Sequence, residues 1–515
     1  MTTAVLPGRV TLARNTLITI VGGAVPPLVG LAVVPLFVHG LGTERYGLWT
    51  LAGSIFAYFL IFDIGLGKAT TKFVSEALAR GEREEIAYLF WTALLASVAL
   101  GVVAGVAFAA AVPFLTTRVL RIPSELVPEA RALLLVFALS APLHLCARAV
   151  GGLLEGSHRF DLSNAIGVPV RILGMVLPLL GVWLGWSLAG VGALAVGAGL
   201  IGVLVTGAVA LRVRPEVRGV PRVSQAALRR LLGFGGWMMG VSILASLVAG
   251  SDRIIIGTVL STSAVAYYAP PHSLIWQSSF IASALYVTLF PAFSALGSVD
   301  KKRMERLYAS AFKVLMVIMG PIALLIIVFA REGLTLWLGA DFAHESTRVL
   351  QVLAIGMFLN TLAVVPSIAL QGAGRPDLVA RIFLLEAPVY VGLAVLLTRQ
   401  MGIVGMALAW TLRNIADAVL FSLTAWWALG LAPTLLLANR GVMAGVLLVG
   451  LAFGIGVIHL LLPASWILLK MVLSIGLLSI FAFLVLFVVL NTEERQAVKQ
   501  ITPFFRDNSS KISTL

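Results

Sequence analysis

The chain has 515 residues, of which 60% are hydrophobic and 12% charged, with a formal net charge of +14. A mean hydropathy of +1.02 excludes an ordinary soluble domain. Apolar runs of about 20 residues, enough to cross a bilayer, recur to about residue 490 and leave no room for one. A basic balance in a soluble protein would raise nucleic acid as a partner; here the meaning of the cations depends on where they fall.

The first apolar run begins after Arg14, ends near Val38 and lacks a convincing small-residue cleavage site, so it reads as a retained span. It carries Pro26, Pro27 and Pro35, each of which removes a helix hydrogen bond, and this cluster is the best hinge candidate. Single or paired prolines follow at Pro142, Pro169, Pro270, Pro271, Pro366 and Pro388. Fourteen spans are predicted, at 15–38, 46–75, 86–115, 130–154, 160–183, 187–211, 231–257, 264–292, 308–330, 346–370, 377–398, 402–428, 437–461 and 464–490. An even number puts both termini on one side. Of the 37 Lys and Arg, 26 lie at the terminal-side ends of spans, 8 at the opposite ends and 3 deep within spans. The positive-inside rule then places both termini in the cytoplasm. The connection at 211–230 carries Arg212, Arg214, Arg218, Arg222, Arg229 and Arg230, a pattern that sets topology and meets anionic lipid.

The segment LLEGSHRFDL at 153–162 is echoed by ALQGAGRPDL at 369–378, so that Gly156, Arg159 and Asp161 correspond to Gly372, Arg375 and Asp377. Arg131 and Arg348 open the same two spans at nearly the same offset. Six spans separate the copies, which keeps their topology the same and predicts parallel repeats. The expected fold is therefore an all-α polytopic membrane protein: two six-helix lobes, 1–211 and 231–428, a basic cytoplasmic connection at 212–230, two appended helices at 429–490, and a cytoplasmic tail at 491–515. Two such lobes suggest alternating access around a central cavity.

Ionisable residues deep in a membrane are costly, and they usually face water or a partner. Arg171 lies about eleven residues into span five and Arg413 about eleven into span twelve. Glu386 falls within one position of the repeat equivalent of Arg171, so the lobes are expected to offer opposite charges at matched depth. Asp417 lies four residues after Arg413 on the same helix face, and the two read equally as an ion pair or a ligand site. Asp252 and Arg253 are adjacent, hence about 100° apart on a helix, and each needs a partner of its own. Lys470 is expected to snorkel outward, and Asp63 and Lys68 approach the cytoplasmic end of span two.

No catalytic constellation is visible. Cys146 lies alone in a span as a small buried hydrophobe, and His39, His144, His272 and His459 have no metal-ligand spacing and read as packing or interface residues. There is no phosphate-binding Walker A pattern. The reading is transport rather than an enzyme, with no cofactor and no metal.

RNTLITIVGG at the start, LGTERYGLWTLAGSIFAYFLIFDIGLGKATTKF through spans one and two, SDRIIIGTVLSTSAVAYY around span seven and LQGAGRPDL after span ten resemble the polysaccharide-export, oligosaccharide-lipid flippases of the MATE-like MOP superfamily. That resemblance spans nearly the whole chain. It implies movement of an undecaprenyl-diphosphate-linked oligosaccharide from the cytoplasmic to the periplasmic leaflet of a bacterial inner membrane, for O-antigen, capsule or exopolysaccharide. It implies a functional monomer among membrane lipids, with polymerase and export machinery as further partners. An anionic diphosphate suits Arg171, Arg253 and Arg413, since arginine supplies a permanent charge and forked donors. Asp252, Glu386 and Asp417 stand as ion-coupling or charge-pair candidates. Two other cargoes fit the same layout: a cationic drug, as in a MATE-type antiporter, which would favour acids at the centre, and a lipid-linked peptidoglycan precursor.

Overall fold

The computed structural model describes residues 9–59, 65–233, 250–278, 289–296, 300–436, 440–463, 466–491 and 494–495. Among them every regular element is helical. The main helices are α1 (Arg9–Phe59), α2 (Leu66–Arg80), α3 (Arg83–Phe114), α4 (Val127–Gly156), α5 (Phe160–Trp183), α6 (Leu188–Val213), α7 (Ser251–Val259), α8 (Thr262–Ser278), α9 (Lys301–Val328), α10 (Ala330–Leu338), α11 (Ala340–Gly372), α12 (Pro376–Leu429), α13 (Gly441–Leu461) and α14 (Ile467–Leu484). The chain is an all-α polytopic membrane protein.

Ten of the described helical segments are long and apolar enough to cross a membrane. Two of those, α1 and α12, are each broken by one glycine outside the helical region, Gly42 at φ 76° and Gly402 at φ 63°. A side chain would strain that backbone, so glycine lets the chain turn back without a loop. The first half of α1 corresponds to predicted span one and its second half, with the start of α2, to span two, of which residues 60–64 lie outside the described residues, and the halves of α12 correspond to spans eleven and twelve. Asp63, residues 234–249 of span seven and residues 279–288 of span eight lie outside the described residues. The helix of α1 continues through Pro26, Pro27 and Pro35. Val103, Val106, Phe453, Leu468 and Val472 are exposed, which only a hydrocarbon surround makes stable.

The chain divides into two compact units, Met1–Gln277 with Val391–Met406, and Ser278–Tyr390 with Ala407–Leu515. In the first, Leu66, Val74, Leu89, Phe90, Leu153 and Leu154 of α2, α3 and α4 are buried together with Val217 and Leu231. The basic connection is thereby tied to the helix ends above it: the Trp91 indole N–H donates to Val217 O at 3.1 Å. In the second unit, α13 and α14 pack on α9 through Leu451, Ile455, Phe481 and Val485, with Met316 and Leu324 against them.

Two buried lysines follow different rules from the one sequence position suggests. Lys470 does not snorkel: it is 3% exposed, and its ammonium donates to His459 O at 3.3 Å. The preceding helix supplies an acceptor closer than the interface. Lys313, in α9, is 1% exposed and donates to Glu494 Oε2 at 2.8 Å. Ser310 donates to Glu494 Oε1 at 2.8 Å, and the Asn491 N–H donates to Oε2 at 2.9 Å. Burial would raise the Glu494 carboxyl, but these donors and the Lys313 charge hold it below the ordinary carboxylate range. A depressed carboxylate stabilises the fold above its unfolded pKa and loses that contribution as pH falls through its folded pKa. Glu494→Gln is therefore expected to cost roughly 3 kcal/mol at neutral pH, because a buried lysine loses its counter-charge. In thermal unfolding, the gap between wild type and variant should shrink as pH is lowered toward 3.

Candidate functional site

The local packing around residues 250–262 decides where the adjacent charges point. A Cβ added to Gly47 would lie 1.9 Å from Thr262 O, and one added to Gly257 would lie 2.7 Å from Leu51 Cδ2. Small residues thus bring the second half of α1, α7 and the start of α8 to backbone distance. Asp252 and Arg253 emerge in this junction and take separate partners, as their 100° offset requires. Arg253 donates to Ser54 Oγ at 3.4 Å and to Ser273 Oγ at 3.3 Å. Asp252 is buried, with Oδ2 3.5 Å from His272 Nε2.

Both charges border a cavity of about 470 Å³, together with Pro26, Pro27, Met175 and His272. That volume is in the range of small-molecule and headgroup sites. Among the described residues, Arg253 Nε is buried without a hydrogen-bond partner, so part of the guanidinium remains available to an anion. Hydroxyls fix its direction but cancel none of its charge.

Arg171 belongs to the same unit. Its Nε donates only one turn back, to Gly167 O at 3.2 Å, and the side chain is exposed. The other exposed residues of mid-α5, Ala165, Pro169, Val176 and Leu180, form an apolar stripe. At 100° per residue Arg171 lies roughly 150° from that stripe. It shares a face with Met175, one turn on, which borders the cavity. Arg171 therefore lies on the side of α5 opposite that apolar stripe.

The second unit holds the other predicted charges in one cluster. Thr411 of α12 donates to Val352 O of α11 at 2.9 Å, and Asn360 donates to Asn414 Oδ1 at 2.8 Å. These bonds fix the rotation of α12 beyond Gly402 and direct Arg413 at the first half of the same element. Arg413 NH2 lies 3.6 Å from Asp417 Oδ2, and Nε lies 3.8 Å from Glu386 Oε2. The guanidinium also sits over the Tyr390 ring at 5.4 Å and the Phe383 ring at 5.8 Å. Both carboxyls are buried. One fixed cation between two acids is one positive charge short of neutrality, which a proton or a cation would supply.

The structure thus brings Glu386, Arg413 and Asp417 together, and it brings Asp252 and Arg253 to a cavity with Pro26 and Pro27. Pro35 is not on the cavity wall; its carbonyl meets His39 Nδ1 at 2.7 Å. Sequence reading passed over Ser54, Ser273 and Trp276, and read His272 as a packing or interface residue. The last two carried a signal, since Tyr268, His272 and Trp276 recur every four residues and so share a helix face. Among the described residues no group of three or more His, Cys, Asp or Glu could hold a metal ion.

A profile of the family described as "Polysaccharide biosynthesis protein" matches residues 41–346. A Shigella flexneri protein named "Putative O-antigen transporter" is 26% identical over 412 residues, which cover 79% of this chain and 96% of that protein. The fold is similar to that of lipid II flippase MurJ in an inward closed conformation, with a TM-score of 0.68, 13% identity and coverage of 91% of this chain and 98% of that one. It is also similar to an inward-facing multidrug resistance MATE family transporter of the MOP superfamily, with a TM-score of 0.64, 17% identity and coverage of 78% and 94%.

The Arg413 cluster makes a stability prediction that does not depend on the cargo. Arg413→Met leaves two buried acids facing each other and is expected to destabilise the protein by about 3–5 kcal/mol. Adding Glu386→Gln and Asp417→Asn should restore most of the loss, as read by thermal unfolding of the purified protein.

Proposed function

Because the chain belongs to the polysaccharide biosynthesis protein family, a membership carried by the match over residues 41–346, we propose that it is a flippase. Its cargo is a polyprenyl-diphosphate-linked oligosaccharide, moved from the cytoplasmic to the periplasmic leaflet of a bacterial inner membrane. The observation that carries this reading is Arg253. It borders a cavity of headgroup size, it is anchored by serine hydroxyls, and it keeps a buried donor unused. Such an arginine attracts a diphosphate and repels a cation.

Arg171 extends the cationic track along α5. Arg413 is the third candidate for contact with the headgroup, and the acids beside it, Glu386 and Asp417, are the candidates for ion coupling. Asp252 borders the same cavity as Arg253, and the family match, not an absence of acids, favours the flippase over an antiporter. The lobes 1–211 and 231–428 rock as two six-helix bodies, with Pro26, Pro27 and Pro35 as the hinge candidates. The lipid tails stay in the bilayer while the headgroup crosses. Both termini lie in the cytoplasm, and one chain suffices, handing its cargo to a polymerase and export machinery.

The test is leaflet exchange in liposomes containing the purified chain. A polyprenyl-diphosphate oligosaccharide, a lipid-linked peptidoglycan precursor and a cationic dye are supplied in parallel. The oligosaccharide lipid is expected to exchange fastest, and a preference for either other cargo overturns the reading. Arg253→Gln should slow exchange about tenfold or more, since a hydrogen bond to a charged group is worth about 1.5–3 kcal/mol. Arg253→Lys should keep the charge but lose the fork, and so fall between the two.

A further inference from the structure

Beside Arg253 the cavity has a second wall. Tyr268, His272 and Trp276 are spaced four residues apart on α8 and stack in sequence. The Tyr268 and His272 rings lie 5.5 Å apart at 20°, and those of His272 and Trp276 lie 6.3 Å apart at 23°. Exposure rises along the row, from 0% at Tyr268 and 7% at His272 to 59% at Trp276. The inner rings are packed and hold the outermost one in place. Trp276 itself is more than half uncovered.

Two ordinary explanations fail for an exposed tryptophan here. A packing tryptophan would be mostly buried. A tryptophan of the interfacial belt would sit at a membrane edge, whereas Trp276 borders the cavity and falls near the centre of the span that hydropathy predicts at 264–292. Its neighbour Gln277 borders the same cavity, and among the described residues Gln277 Oε1 is buried with no hydrogen-bond partner. Ser273, three residues before Trp276, is one of the two hydroxyls that hold Arg253. A guanidinium, an aromatic ring and an amide oxygen without a partner among the described residues therefore line one cavity.

We propose that Trp276 and Gln277 bind the sugar next to the diphosphate and make its identity count in transport. This rests on the flippase reading given above. In a glycosyl diphosphate the first sugar is joined directly to the phosphate, so a site that holds both needs its sugar surface next to its cation. A pyranose presents a patch of C–H groups, which suits a broad aromatic face, and a rim of hydroxyls or an amide, which suits Gln277. Gln277 Oε1 can accept a hydrogen bond that it otherwise lacks, and leaving that oxygen unsatisfied would disfavour a cargo without the donor.

The experiment measures binding of two probes to the full-length protein in detergent. One is a short-chain prenyl diphosphate carrying a single N-acetylhexosamine, and the other is the same prenyl diphosphate without sugar. Wild type is expected to bind the glycosylated probe more tightly. Trp276→Ala should weaken the glycosylated probe about tenfold while leaving the bare probe within about twofold, and Trp276→Phe should keep most of the preference. Arg253→Gln should weaken both probes, which separates the phosphate contact from the sugar contact. Retention of the bare probe also shows that Trp276→Ala has folded. Equal binding of both probes by wild type, or equal loss of both in Trp276→Ala, overturns the sugar wall and leaves the flippase reading standing. Wild type that binds neither probe overturns both.

Discussion

An ionised side chain within a membrane must be met by an opposite charge, by polar groups or by water, and this chain uses each solution in a different place. Lys313 is neutralised outright by Glu494. Arg253 is held by two serine hydroxyls, which orient it without reducing its charge, and Asp252 beside it borders the same cavity. Arg413 has two buried acids around one guanidinium. The two clusters thus meet the same cost in different ways.

Close backbone packing makes this arrangement hold. Gly47 and Gly257 remove the side chains that would otherwise separate α1, α7 and α8, and the resulting contact fixes the direction of Arg253 within a degree of freedom or two. Thr411 and Asn414 do the same for Arg413 by bonding α12 to α11. In hydrocarbon there is no hydrophobic drive to press helices together, so contacts of this kind, small residues and interhelical hydrogen bonds, must supply the precision.

Much of the fold was legible in the sequence because membrane helices are bounded by hydropathy, and hydropathy is local. The predicted spans at 160–183 and 187–211 lie almost on top of α5 and α6. The short turns at Gly42 and Gly402 could be placed from polar breaks but not shaped, since their geometry depends on a positive φ. Depth also singled out Arg171, Arg413 and the 252–253 pair as candidates. What sequence could not convey was the choice of partner. Nothing local to Arg253 says that Ser54, 199 residues away, will hold it, and Lys470 looked able to reach the interface because the carbonyl of His459 was not yet beside it. Trp276 was hidden for another reason: aromatic residues are so common in apolar segments that exposure, and not identity, singles one out.

The Lys313–Glu494 contact joins residues 181 positions apart, and the chain is made from its N-terminus. At a synthesis rate of about 5–20 residues per second, roughly ten to thirty-five seconds separate the appearance of the lysine from that of its counter-charge. During that interval α9 must enter the bilayer with an unmatched cation, and it cannot settle until α13 and α14 have followed. The two appended helices thus act late in biogenesis as the closing step for a helix inserted long before them.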